Sequence, residues 1–467
     1  MSAVMTRASA APSARRTAVG LAVLVAAQAM VLVDEMIVNI ALPGLSEALA
    51  TTPTQLSWVL NAYLLTFGGL LLLGGRAGDI LGRRRVFLVG VALFTVASLA
   101  RGLAPDVGTL IATRAVQGVG AALVSPSVLA LIIGMYREAG ARERAIAVYT
   151  AVGGVGAAVG LLLAGVFTSV GSWRWVLALN APVGLVVLAA APFVLRETVR
   201  APGRFDLAGA LTSAFGVAAL VWALSGVGTT GWGDPLVQAA AAVGVAALVV
   251  FVVVERRARQ PIVTPGLLAD RGRGTAYLAV LVVQGAQIGQ LYFLTQFLQQ
   301  AMGYSAMLAA VSFLPVTATL LGLAGVAVRV SARFGPRLPV ALGALALVAS
   351  NLLLSRLDLS AGYAVDVLPA LLLLGAGIAF GTIPATIAGT SGVAETEYGA
   401  ASSVVTTVTA VGASLALATL VTVMTTAAEG AADPFTEGMS AAFVAGAAFA
   451  AATLLVALLM PRRGART

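Results

Sequence analysis

The sequence contains no cysteine, no histidine and no lysine. Without cysteine there is no disulfide, no thiolate nucleophile and no sulfur-ligated metal. Without histidine the usual general base and the commonest metal ligand are gone as well, so neither a metal site nor a cofactor is expected. Without lysine a phosphate-binding P-loop lacks its cation, and the chain cannot be its own ATPase. Charge is scarce too, at 10% of 467 residues, where soluble domains carry about 25%. Hydrophobic residues make up 60% and the mean hydropathy is +0.99. This composition excludes a soluble enzyme and describes an integral membrane protein. The net charge of +9 comes from 28 arginines, which lie mostly in short segments between apolar runs. That distribution reports topology and argues against a nucleic-acid partner. Glycine stretches such as Gly153-Gly154-Val155-Gly156 sit inside apolar runs and complete no dinucleotide fingerprint.

What is present is a succession of apolar runs. A bilayer crossing needs roughly 20 apolar residues. Fourteen runs qualify: 17–42, 56–75, 86–104, 107–131, 145–169, 176–195, 206–226, 236–254, 275–298, 306–328, 338–356, 364–388, 399–425 and 438–460. The first is too long for a signal-peptide core and reads as an uncleaved span. The termini and even-numbered loops hold 24 of the arginines, while the odd-numbered loops hold three, Arg101, Arg174 and Arg356. Both termini are therefore expected in the cytoplasm. The loop Gly75–Arg85 after the second run resembles Val328–Arg337 after the tenth, with Gly82 against Gly335 and Arg76 against Arg329. A repeat offset by eight helices predicts an all-α polytopic fold: two six-helix bundles with pseudo-twofold symmetry (1–200 and 261–467) and two inserted central helices (201–260). Such repeats place a substrate site between the halves.

Only three charges are expected well inside the spans: Asp34, Glu35 and Arg114. A carboxylate at membrane depth costs on the order of 2.5 kcal/mol or more, so it needs a partner or a polar cavity. With a rise of about 1.5 Å per residue, Asp34 lies about 13 Å below the outer end of the first span and Arg114 about 10 Å. Pairing of Arg114 with Asp34 or Glu35 is predicted, either as a static salt bridge or as a proton-coupling device. Two acids for one arginine leave one carboxylate free to exchange, which would permit proton coupling without histidine. Gln28, Glu35 and Asn39 share one helix face, with Asp34 turned about 100° away. Gln117 is one turn from Arg114 and either holds its side chain or ties helices together. Trp58, Asn61 and Tyr63 on the second span, Gln284, Gln287 and Tyr292 on the ninth, and Ser402, Ser403, Thr406 and Thr409 on the thirteenth complete the cavity candidates. Helix packing is an equal alternative for each. Two acids, one arginine, amides and aromatics suit a large amphipathic substrate, neutral or cationic.

Several of these stretches resemble known motifs. Gly75-Arg76-Ala77-Gly78-Asp79-Ile80-Leu81-Gly82-Arg83-Arg84-Arg85 is similar to the signature loop of the major facilitator superfamily. Asp34 with Ile37-Val38-Asn39 and Ala41-Leu42-Pro43 resembles the first-helix motif of its fourteen-helix drug:proton antiporters. Arg114-Ala115-Val116-Gln117-Gly118-Val119-Gly120-Ala121-Ala122 resembles their fourth-helix motif, and Trp173-Arg174-Trp175-Val176 through Asn180-Ala181-Pro182-Val183-Gly184 their loop before the sixth helix. The resemblance implies a proton-coupled exporter in a bacterial inner membrane, with protons, a small amphipathic substrate and the lipid bilayer as partners, acting as a monomer. It puts Asp34 ahead of Glu35 as proton carrier and assigns Gly75, Asp79, Gly82 and Arg83 to the inner gate. Met36 stands where the family has threonine, and Gly160-Leu161-Leu162-Leu163-Ala164-Gly165 lacks the proline of the family's antiport motif. Export of a lipid or a self-made metabolite, or uptake, therefore stays open as an alternative. A membrane sensor would need a larger cytoplasmic domain than 255–274 provides.

Overall fold

A computed structural model describes residues 14–136, 173–197, 206–258, 270–393 and 398–461 without a break, and shorter runs between 138 and 167. Every regular element among them is helical, as lipid demands of a chain that must satisfy its own backbone groups. The first half contributes α1 (Ala14–Leu49), α2 (Pro53–Leu81), α3 (Arg83–Gly102), α4 (Val107–Met135), α5 (Trp173–Ala178) and α6 (Asn180–Val194). Then come α7 (Leu207–Thr230) and α8 (Pro235–Arg257). The second half contributes α9 (Arg271–Gln296), α10 (Ala306–Ser312), α11 (Leu314–Phe334), α12 (Arg337–Leu354), α13 (Leu368–Gly377), α14 (Ile383–Thr390), α15 (Tyr398–Ala428) and α16 (Pro434–Leu459). Wider π turns at Phe297–Ala301 and Ile378–Thr382 extend α9 and join α13 to α14.

Among the described residues, 13 segments are long and apolar enough to cross a membrane. They match the expected runs except the fifth, 145–169, most of which lies outside the described residues. Aspartates mark where helices begin. Asp106, Asp206, Asp234, Asp270 and Asp433 each accept a backbone N–H of the first turn, and Thr52 with Gln55 forms a capping box at α2. The N–H and hydroxyl of Thr109 hold the carboxyl of Asp106 below the usual carboxylate range. Five of the nine aspartates are thus helix caps at the ends of apolar spans, and Asp34 stands apart from them.

α2 packs along α4, and α4 along α3, while α6 lies on α1 and α3. In the second half α9 packs on α15 and α16, and α12 on α16. α2 and α15 touch each other across the two sets, and α7 leans on both. α7 therefore covers the seam, through Val217 and Val221 against Leu65 and Ala418. Gly118 permits the close α2–α4 approach, since a Cβ there would stand 2.6 Å from the Tyr63 carbonyl oxygen. Gly82 and Gly335, matched by sequence, both take positive φ at the ends of α2 and α11, at +105° and +82°.

Candidate functional site

Asp34 is fully buried on α1 and accepts from four side chains on three other helices. Its Oδ1 accepts from Arg101 Nη2 at 2.7 Å, Gln117 Nε2 at 3.0 Å and Asn180 Nδ2 at 2.6 Å. Its Oδ2 accepts from Arg101 Nη1 at 3.3 Å and from Arg114 Nη1. Gln117 Oε1 closes the ring by accepting from Arg101 Nη1 at 2.8 Å and Arg114 Nη1 at 3.0 Å. Two guanidiniums thus face one carboxylate, and bidentate pairing gives Arg101 the stronger geometry.

The local sequence explains how these donors are aimed. The chain breaks between α5 and α6, where Pro182 has no N–H to offer the preceding turn. There the Leu177 carbonyl accepts from Arg101 Nε at 3.2 Å and Ser98 Oγ at 3.1 Å. Arg174 binds the Ala104 carbonyl at 2.7 Å beyond the end of α3. Together these bonds dock the Trp173–Asn180 segment on α3 and set Asn180 at the start of α6, beside Asp34. On α4, Arg114 Nε donates to the Val59 carbonyl of α2 at 2.9 Å, and its guanidinium lies 4.3 Å from the Tyr63 ring centre.

Asp34 and Arg114 are therefore joined. The expectation that only three charges lie inside the spans, with two acids for one arginine, is corrected. Arg101 does not belong to an outer loop: it is the next-to-last residue of α3 and is fully buried. Only Glu35 could restore a second acid, and its side chain lies outside the described residues. The signal available in sequence was that Arg101 is one of three arginines on the arginine-poor side, where each needs a reason to be.

Beside this network is a cavity of about 950 Å³ between the two halves. Gln28, Val31 and Leu32 of α1, Tyr63 and Phe67 of α2, and Ser125 and Pro126 of α4 line one wall. Gln284 of α9 and Ser402, Ser403, Thr406 and Thr409 of α15 line the other. It reaches Gly75, Arg76 and Asp79 in the last two turns of α2, Arg83 at the start of α3, and Asp206 at the start of α7. At the opposite end the halves meet. Tyr292 donates to the Pro53 carbonyl at 3.4 Å and Gln299 to the Ile40 carbonyl at 3.1 Å, over a shared apolar cluster with Ile37, Leu56, Phe293 and Phe297. Asp34, Arg101 and Arg114 do not line the cavity.

Of the cavity candidates, Gln28, Tyr63, Gln284, Ser402, Ser403, Thr406 and Thr409 line it. Gln117 belongs to the Asp34 network, and Asn39 is buried within α1. Trp58 packs toward α7, Asn61 accepts from Ser414 Oγ at 3.0 Å, and Gln287 donates to Thr382 at 2.8 Å. Tyr292 belongs to the closed end. These side chains satisfy helix–helix contacts, which a polar residue in an apolar span can do as well as face a cavity. Where α2 meets α3, Asp79 pairs with Arg83 four residues on, and Arg83 reaches the Pro126 carbonyl at 3.4 Å. The sequence reading did not single out Glu197, whose Oε1 accepts from the Arg84 N–H at 3.0 Å and whose carboxylate packs on Gly82.

A family model described as Major Facilitator Superfamily matches residues 24–417. The chain belongs to the major facilitator superfamily. It is a multi-pass membrane transporter and not an enzyme. This transporter is 43% identical over 411 residues to the puromycin resistance protein pur8 of Streptomyces alboniger, covering 87% of this chain and 81% of that one. It is 37% identical to the cephamycin export protein CmcT of Amycolatopsis lactamdurans, covering 92% and 89%. Among solved structures, a bacterial homologue of the human lysosomal transporter Spinster, inward-facing and unoccupied, superposes with a TM-score of 0.68 at 17% identity, over 96% of this chain and 98% of that one. That likeness is one of fold.

Proposed function

We propose that this transporter exports amphipathic antibiotics or drugs, neutral or cationic, from the cytoplasm in exchange for protons, by alternating access. One observation carries the reading: a fully buried carboxylate, Asp34, held by two arginines and two amides one helix wall away from a cavity between the halves. In this reading the chain has fourteen spans in two pseudo-symmetric six-helix bundles, with 201–260 inserted between them. Both termini are cytoplasmic in a bacterial inner membrane, and the monomer is the working unit.

The geometry supports a definite order of events. Five hydrogen bonds occupy the two oxygens of Asp34, so a proton reaches it only after a donor withdraws. Loosening of Arg114 or Arg101 opens a proton site; deprotonation and re-pairing close it. The cavity, open toward the arginine-rich loops and shut beneath Tyr292 and Gln299, is the state that loads cargo from the cytoplasm. Relatives named for resistance to puromycin, and for lincomycin in Streptomyces lincolnensis, support antibiotics as cargo. A second reading is export of an antibiotic that the host itself makes. It is favoured by the names of CmcT and of the tetracenomycin C resistance and export protein of Streptomyces glaucescens.

The test is drug uptake into everted vesicles under an imposed pH gradient, preceded by a susceptibility panel that includes puromycin and lincomycin. Asp34→Asn should abolish gradient-driven uptake, alone and with Glu35→Gln. A double variant that transports at the normal rate would falsify the coupling claim.

A further inference from the structure

Three details on the α1–α2 wall are not used by the Asp34 network. Gln28 is 7% exposed, and its Oε1 is a buried acceptor with no donor, although it lines the cavity. Phe67, half-buried on the same wall, stacks with Tyr63 at 5.6 Å between ring centres and 17° between planes. Arg114 Nη2 is buried with no hydrogen-bond acceptor, and its guanidinium lies 4.3 Å from the centre of the same Tyr63 ring. A buried acceptor without a donor costs stability unless something else supplies the donor. A guanidinium nitrogen without an acceptor is compensated by the π-face it rests on.

The geometry points to a cargo subsite that the coupling pair senses: a cargo aromatic ring stacks on Phe67, a cargo N–H or O–H donates to Gln28 Oε1, and Tyr63 passes occupancy to Arg114. The cargo class is an aromatic molecule bearing a hydrogen-bond donor. Tyr63 is a positioning residue here, since it acts through Arg114 rather than on the proton. The connection is short. Arg114 holds α2 at two places one turn apart, the Val59 carbonyl and the Tyr63 ring. A cargo ring that braces the Tyr63–Phe67 pair therefore holds the guanidinium against Asp34 Oδ2, so that loading favours the re-paired carboxylate and releases its proton. The groups facing Asp34 are Arg101 from α3, Arg114 and Gln117 from α4 and Asn180 from α6, so Arg114 is the one charged partner in contact with the cavity wall. The inference rests on proton-coupled export and adds how cargo and proton sites communicate.

Two probes separate the parts: ethidium, an aromatic cation with amine donors, and tetraphenylphosphonium, an aromatic cation with none. Binding to the purified full-length protein is measured by fluorescence or equilibrium dialysis, and proton release on binding with an indicator in weak buffer. Gln28→Leu should weaken ethidium at least fivefold and leave tetraphenylphosphonium within twofold. Tyr63→Leu should lower protons released per bound ethidium at least fourfold, with Tyr63→Phe close to wild type. A fluorinated phenylalanine at position 63 keeps the ring's shape but weakens its attraction for cations. It should fall between Phe and Leu, which guards against a Leu variant that fails to fold. Equal weakening of both probes in Gln28→Leu, or unchanged release per bound probe in Tyr63→Leu, overturns the subsite. Wild-type protein that binds either probe without releasing protons overturns the antiport reading itself.

Discussion

Arg101 offers the sharpest quantitative prediction. Arg101→Met keeps most of the side-chain volume and removes the charge. Asp34 then retains Arg114, Gln117 and Asn180, and the Leu177 carbonyl retains Ser98 Oγ. No buried ion is left bare, so the cost is one bidentate charge-assisted pair, about 2–3 kcal/mol. Asp34→Asn is worse. It leaves two guanidiniums side by side, both fully buried, without counter-charge, and breaking a buried pair in this way costs about 3–5 kcal/mol. The double variant has one guanidinium and an asparagine, so the repulsion is gone. It should be more stable than the sum of the singles by about 2 kcal/mol or more, the coupling range of groups in one network. The assay is unfolding of purified protein in mixed micelles titrated with sodium dodecyl sulfate and followed by circular dichroism. Two results refute the reasoning: singles that add within about 0.5 kcal/mol, or an Arg101→Met cost below that value, as expected of an exposed loop charge.

Two further outcomes follow from the cavity and from the second half. Because the chain has no native cysteine, Ser403→Cys and Thr406→Cys should react with a membrane-impermeant maleimide in everted vesicles, whereas Ser414→Cys, buried against Asn61, should stay unlabelled. Gln290 on α9 is buried and accepts from Ser350 Oγ at 2.8 Å, while Ser350 also reaches the Ala370 carbonyl at 2.7 Å. Gln290→Leu should cost about 1 kcal/mol and leave the pH dependence of transport unchanged, as measured beside Asp34→Asn.

The fold was legible because lipid leaves few options. Runs of about 20 apolar residues can only be helices, so the expected spans recur in every described stretch. Asp34 and Arg114 were legible as partners because each interrupts an apolar run at similar depth. Arg101 was missed because it follows Ser98-Leu99-Ala100 near the end of a run and precedes Gly102 and Pro105, a turn-like context that reads as loop. Charge counting placed it outside; helix geometry turns it inward. Membership of the cavity was only partly legible for a different reason. Each span of a bundle has two or three neighbours, and a buried amide serves a neighbour as well as a cavity. Asn61 meets Ser414 and Gln287 meets Thr382, while Gln28 and Gln284 are left to face the open space.

The two halves carry a similar polar layer with different charge. Val96-Ala97-Ser98 on α3 recurs as Val348-Ala349-Ser350 on α12, at nearly the spacing that relates Gly82 to Gly335. In both places the serine donates to a backbone carbonyl, of Leu177 in one and Ala370 in the other. Beside Ser98 are Asp34 and Arg101; beside Ser350 are Gln290 and Asn351, whose amide donates to the Ala286 carbonyl at 3.2 Å. An amide network satisfies buried groups without an ion and has nothing to exchange with a proton. A charged network in the same kind of place costs more to bury and is worth keeping only where its rearrangement does something. On the proposed repeat and the proposed proton coupling, the second half thus supplies a neutral wall against which the first half moves, and the proton is handled on one side of the cavity alone.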